Sequence, residues 1–255
     1  MIQGKDISVA YRRHPPVVKH MNLNVHEGEW LMLCGPNGAG KSTLIRALSG
    51  AIPYSGDITI LGRNLQSYRP WELAQVLGVL SQTSHITYAY TVNEIVALGT
   101  YARHHSPLQR PSPEEKQKIE SALAVTGMLA LRNHNILELS GGEVQRTFLA
   151  QVLAQAPALL LLDEPANHLD LLYQKQIFDV IQQWLQEPGR AVVSVVHDLG
   201  LARRYGTHCI LMHQGQSAAS GPIQNVLTRD ILNQVYQMDV YQWMQTGAEL
   251  WQENA

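Results

Sequence analysis

The sequence predicts an α/β fold with a parallel-sheet core built around a phosphate-binding loop, an antiparallel β-layer at the N-terminal end and an inserted helical segment. Three observations carry that prediction. Residues 35–43 read G-P-N-G-A-G-K-S-T, preceded by the apolar run W-L-M-L-C and followed by L-I-R-A-L, which is strand, glycine loop and helix in succession. Two further runs, residues 158–162 (A-L-L-L-L), apolar throughout, and 191–196 (A-V-V-S-V-V), apolar but for Ser194, lead into D-E-P and H-D. Strands apolar at every position belong in a sheet covered on both faces, and such sheets bind ligands at their C-terminal strand ends. Between residues 83 and 156 the texture becomes helical.

Residues 2–10 and 17–25 alternate as half-buried strands, and the turn Glu27-Gly28-Glu29 leads into the strand before the loop. Residues 56–61 form another strand leaving through Gly62, and 76–80 are apolar and run into Ser81-Gln82. Ser112-Pro113-Glu114-Glu115 combines a capping serine, a first-turn proline and a glutamate three residues on, which predicts a helix to about Thr126. Residues 101–111 are polar and rich in histidine and proline, an exposed loop. His104-His105 within it are adjacent, so their rings do not converge on a metal, and the loop reading is preferred. Ser140-Gly141-Gly142-Glu143 repeats the capping pattern, with Val144, Phe148, Leu149, Val152 and Leu153 along one helical face. Two glycines in a first turn cost helix stability by roughly 1 kcal/mol each, which suits an anion site at the helix start. Helices are expected at 171–185, 223–226 and 230–236, with a hairpin at 208–213 and 216–220.

The phosphate loop carries its own chemistry. Its glycines let several backbone N–H groups face one anion, and the next helix adds the positive end of its dipole. Lys41 is placed to reach the β- and γ-phosphates of a nucleoside triphosphate, and Ser42 to hold Mg²⁺. Asp163 and Glu164, adjacent at a strand end, call for a cation or a proton-transfer task. Composition sets the limits. The 255 residues are 45% hydrophobic and 16% charged, with a net charge of −2, which gives no electrostatic reason to expect nucleic acid. No apolar run approaches the ~18 residues of a membrane span. Without a signal-peptide core, and with Cys34 and Cys209 lacking any C-x-x-C partner, the expectation is a reduced, cytosolic chain.

The ordered set G-P-N-G-A-G-K-S-T, L-S-G-G-E-V-Q-R, L-L-L-L-D-E-P and V-V-H-D resembles the ABC-transporter ATPases over essentially the whole chain. The resemblance implies one unit, residues 1–255, with a P-loop NTPase core at 1–82 and 157–255 and a helical subdomain at 83–156. It implies ATP bound by Gly35, Pro36, Asn37, Gly38, Ala39, Gly40, Lys41, Ser42 and Thr43, with Tyr11 stacked on adenine. It assigns Mg²⁺ to Ser42, Gln82 and Asp163, the general base to Glu164, and the γ-phosphate switch to His197. Ser140, Gly141 and Gly142 would serve the nucleotide of an opposite copy, and 167–170 with Asp170 the contact between copies. Val144 departs from the usual polar residue of the signature. The implied partners are a second copy head-to-tail, a transmembrane permease and, indirectly, a substrate-binding protein, with the chain peripheral at the cytoplasmic membrane face.

Residues 91–101 (T-V-N-E-I-V-A-L-G-T-Y) and 235–240 (V-Y-Q-M-D-V) resemble the ATPases of iron-siderophore, haem and vitamin B12 importers. Residues 82–101 are expected to form the groove for a permease helix. Rival readings are an ABC ATPase for zinc, lipid or drug, a DNA-repair ATPase, and a scaffold without turnover. The second is opposed by Lys41 and Ser140 lying only 99 residues apart, with no heptads between; the third by the presence of Glu164 and His197.

Overall fold

A computed structural model describes residues 1–11, 14–81, 88–103, 111–167 and 169–252. In chain order it contains β1 (Ile2–Val9), β2 (Val18–Val25), β3 (Trp30–Cys34), α1 (Lys41–Leu48), β4 (Ser55–Ile60) and β5 (Arg63–Asn64). Next come α2 (Pro70–Val76), β6 (Leu77–Leu80), α3 (Val92–Ala97), α4 (Pro113–Val125) and α5 (Gly141–Ala154). The C-terminal part holds β7 (Leu159–Asp163), α6 (Leu171–Leu185), β8 (Ala191–Val195), α7 (Leu199–Tyr205), β9 (His208–His213), β10 (Gln216–Pro222), α8 (Ile223–Val226), α9 (Arg229–Tyr236) and α10 (Val240–Gln252).

Two sheets result. One is antiparallel, in the order β2-β1-β4-β5; the other runs β10-β9-β3-β8-β7-β6, parallel from β9 to β6 with β10 antiparallel at its edge. Every residue of β3, β7 and β8 is buried, as expected of strands covered on both faces. Their side chains alternate between two cores. Leu31, Leu33, Leu159, Leu161 and Val193 pack with α1 and the antiparallel sheet. Trp30, Met32, Cys34, Leu160 and Leu162 pack with α5, α6 and α7, where Trp30 stacks on Phe178 at 5.4 Å. Both cysteines are buried free thiols. A third core of Val92, Val96, Leu123, Met128 and Ala150 joins α3, α4 and α5.

The predicted elements are present, most within one or two residues of the expected bounds. Val76 differs: it is the last residue of a helix, not the first of a strand. Helices α2, α7 and α10 had no sequence-based expectation. Helix α2 buries no residue and is held by Glu72, which accepts from the Arg69 N–H at 2.8 Å. Helix α7 spans seven residues, about two turns, too few for an apolar stripe to repeat. In α10, Val240 is buried and Trp243 is 70% exposed.

Candidate functional site

The phosphate loop leaves β3 through Gly35, whose φ of 138° is open to glycine alone; a Cβ there would lie 2.1 Å from the Met212 carbonyl oxygen. Gly40, at φ 97°, precedes α1 and would carry a Cβ 2.8 Å from the Val17 carbonyl oxygen. These two close approaches explain why the loop's bends are made by glycine. No side chain caps α1, so its first-turn N–H groups face the loop. Gly38 also lies at positive φ and Ala39 is buried; the Ala39 N–H donates to the Pro36 carbonyl at 3.2 Å, closing a turn through Asn37 and Gly38.

Lys41 is buried, and its Nζ donates to the carbonyls of Gly35 at 2.7 Å and Pro36 at 2.9 Å. Burial pulls its pKa below the ordinary lysine value, while Cys34, Glu164 and Asp163 hold the charge up. Ser42 Oγ donates to Asp163 Oδ1 at 2.8 Å. Burial raises the Asp163 pKa; the Ser42 hydrogen bond opposes that rise, and Glu164 adds to it. Glu164 follows at φ 55°, a strained value for a side-chain-bearing residue. That turn puts its carboxylate over the cleft: Oε1 lies 2.5 Å from His197 Nε2, and Asn167 Nδ2 donates to Oε2 at 2.5 Å. Strands β7 and β8 are neighbours, so their C-terminal ends bring Asp163, Glu164 and His197 together.

The cleft has a volume of about 750 Å³ and is lined by Asn37, Lys41, Ser42, Thr43, Glu164 and His197 among others. Tyr11 stands beside it, half exposed, its hydroxyl 3.4 Å from Thr43 Oγ1. A buried lysine at a helix start suits a polyphosphate. A hydroxyl and a carboxylate within hydrogen-bond reach are hard oxygen donors, and a buried carboxylate with a raised pKa gains from a cation. The Ser42–Asp163 pair therefore fits Mg²⁺, which takes few protein ligands beside phosphate oxygens. Gln82, the third expected metal residue, lies outside the described residues, as do His104, His105 and His168.

Ser140, Gly141, Gly142 and Asp170 do not line this cleft. They form a second group at the starts of α5 and α6. Ser140 is exposed, donates to Glu143 Oε2 at 2.7 Å and accepts from the Glu143 N–H at 3.4 Å. These bonds hold the Glu143 carboxyl below the usual range. Gly141 faces open space. Gly142 does not: it is buried, and a Cβ there would meet the Tyr173 ring at 3.2 Å. Gly142 therefore has a packing reason to be glycine, which Gly141 lacks. Asp170 caps α6 by accepting from the Tyr173 N–H at 3.0 Å. The sequence reading missed Asn167 as a partner of Glu164. Its signal is the spacing of three residues within one turn, closed by the Asn167 N–H donating to the Glu164 carbonyl.

Comparison with known proteins agrees with this geometry. The profile of the family described as ABC transporter matches residues 18–167. The uncharacterized ABC transporter ATP-binding protein YvrA of Bacillus subtilis is 38% identical over 225 residues, covering 88% of this chain and 51% of YvrA. The chain thus spans about half the length of that relative. The ferric enterobactin transport ATP-binding protein FepC of Escherichia coli is 33% identical, covering 92% of this chain and 86% of FepC. The hemin import ATP-binding protein HmuV of Shewanella denitrificans is 40% identical, covering 88% and 89%. The dimeric cassette MJ0796, solved with ADP and Pi, superposes with a TM-score of 0.77 at 27% identity, covering 88% of this chain and 99% of that one. With the profile spanning more than half of its residues and such relatives spanning nearly all of them, the chain belongs to the ABC transporter family.

Proposed function

We propose that this chain is the ATP-hydrolysing subunit of an importer, using ATP to drive uptake of a metal chelate (iron-siderophore, haem or cobalamin) through a separate permease. The observation that carries the catalytic part is the Glu164–His197 pair, 2.5 Å apart at adjacent strand ends in the cleft that holds Lys41 and Ser42. The printed functions of FepC and HmuV, ferric enterobactin transport and hemin import, support the choice of cargo.

In this reading residues 35–43 hold the phosphates, Lys41 offsets charge on the β- and γ-phosphates, and Tyr11 stacks on the base. Ser42 and Asp163, with Gln82, hold Mg²⁺, which when bound supplies charge neutralisation at the phosphate oxygens. Glu164 accepts the proton of the attacking water; His197 and Asn167 hold its two oxygens, so the base is oriented before reaction. Ser140, Gly141, Gly142 and Asp170 meet the nucleotide of a second copy, giving a head-to-tail homodimer with two ATP molecules. Residues 1–82 and 157–255 act as the core, and 83–156 as the helical subdomain that meets the permease. Among the described residues no helix is long and apolar enough to cross a membrane, so the permease carries the chain to the cytoplasmic face.

Two variants test this. Lys41→Ala should lower ATP hydrolysis by about a hundredfold or more; near-normal turnover would refute the mechanism. Glu164→Gln should bind ATP without hydrolysing it and run as a dimer with ATP in light scattering. Uptake of radiolabelled ferric siderophore, haem and cobalamin by vesicles holding the whole transporter identifies the cargo; uptake of none of the three would reject metal-chelate import.

A further inference from the structure

We infer that Tyr173 is a positioning residue that couples the start of α5 to the turn carrying Glu164 and Asp170, so that both reach a second copy's nucleotide as one unit. The inference rests on the head-to-tail reading above. Three contacts converge on this residue from different elements. Its ring lies under Gly142, where an added Cβ would stand 3.2 Å from Cδ2. One turn further along α5, the Arg146 guanidinium covers the same ring at 4.7 Å from its centroid. Its backbone N–H donates to Asp170 Oδ1 at 3.0 Å. Arg146 in turn donates through Nη1 to the Thr126 carbonyl at the end of α4, at 3.3 Å. The ring is therefore wedged between residues 142 and 146, which share one face of α5. A flat ring can lie against a bare glycine backbone while its other parts meet a guanidinium; an aliphatic chain of similar size cannot do both.

Alongside, Gln145 Nε2 donates to the Pro165 carbonyl at 3.0 Å, and Gln174 Nε2 to the Leu169 carbonyl at 3.0 Å. The turn is thus tied to α5 at Pro165 and to α6 at Leu169, and of the two residues that lie against Gly142, Tyr173 stands closer than Leu169, at 3.2 against 3.6 Å from an added Cβ. Its hydroxyl takes no part in these contacts, so the ring is what matters.

The test combines Tyr173→Phe, Tyr173→Leu and Tyr173→Ala in the full chain. ATP affinity of the monomer's own loop, read with a fluorescent ATP analogue, should stay within twofold in all three. ATPase kcat should be retained in Tyr173→Phe and fall tenfold or more in Tyr173→Leu and Tyr173→Ala, with KM little changed. In the Glu164→Gln background, ATP-driven dimerisation should need at least tenfold more ATP when Tyr173→Leu is added, and be unchanged with Tyr173→Phe. Tyr173→Leu keeps apolar volume, so a melting temperature near the parent's separates positioning from unfolding. If Glu164→Gln dimerises and adding Tyr173→Leu changes neither dimerisation nor kcat, the inference is overturned. If Glu164→Gln itself never dimerises, the head-to-tail reading fails instead, and this inference with it. A loss in Tyr173→Leu that follows only a fall in melting temperature also overturns it.

Discussion

Asp163 and Lys41 are both buried charges whose surroundings work against ionisation. For Asp163 the sign of the linkage is definite. Burial raises its folded-state pKa above the unfolded value, so the native state holds more protons between the two pKa values. The contribution of this group to stability is complete below the unfolded value of about 4 and is lost as pH rises through the folded one. At neutral pH the carboxylate therefore counts against folding. Asp163→Asn removes the charge and keeps an oxygen to accept from Ser42. Its melting temperature should exceed the parent's at neutral pH, and the gap should close as pH approaches about 4. ATP hydrolysis should be lost in the same variant, because the amide is a poorer ligand for Mg²⁺. Calorimetry across that pH range checks the first part; an asparagine variant less stable at neutral pH would show that Asp163 is held as a structural anion. Stability and function oppose each other at this residue, as is common at sites that hold charge ready for a ligand.

At the scale of elements, α4 and α5 start with the same device and should differ in what it does. Ser112 accepts from the Glu115 N–H at 3.2 Å and Ser140 from the Glu143 N–H at 3.4 Å, and each glutamate reaches back to its serine N–H. Replacing either serine with alanine should cost about 1 kcal/mol, measured as a denaturant midpoint. Only Ser140→Ala should also slow ATP hydrolysis, because Ser140 is exposed ahead of the open Gly141, whereas Ser112 is half-buried ahead of a proline. Equal ATPase losses would show that both caps act through stability alone. Such caps, and strands apolar at every position, were legible in the sequence because their signals are local. Helices α2 and α7 were not, since short helices with few buried residues carry no periodic signal. Glu164 and His197 were named together only through the family resemblance; their contact comes from the neighbouring ends of β7 and β8. The wedge of Tyr173 under Gly142 was not legible, because it joins two helices with no sequence spacing to announce it.

At the scale of the whole molecule, the groups that fit ATP lie in one cleft and the start of α5 lies outside it, and in the head-to-tail reading proposed above a second copy brings the two together. Coupling to a permease needs a further surface, and exposed apolar residues gather where one was expected. Tyr88 is 69% exposed, Leu98 and Tyr101 each 47%, and Tyr88 meets Tyr90 edge-on at 6.3 Å. Exposed aromatic pairs such as Tyr88 and Tyr90, and exposed aliphatic groups such as Leu98, are the kind of surface a protein partner covers. Helix α3 gives this surface a fixed wall: Val92 and Val96 are fully buried, and Thr91 forms a reciprocal cap with Glu94. Glu94 accepts from both the Thr91 N–H and Oγ1, so reversing its charge would break the cap as well as the surface. Leu98 is the cleaner probe, being exposed at the end of α3. Leu98→Asp should leave the ATPase of the isolated subunit near the parent's and reduce cargo uptake by the assembled transporter about tenfold, the effect of ~1.4 kcal/mol lost from docking. Cysteines placed at Tyr88 or Leu98 should cross-link to the permease, and the two native cysteines, both buried, should not compete. A cysteine at Gln216, exposed on the edge strand β10, should give no such link. Cross-linking from Gln216 and none from Tyr88 or Leu98, in a transporter that still moves its cargo, would put the docking surface on the opposite sheet edge.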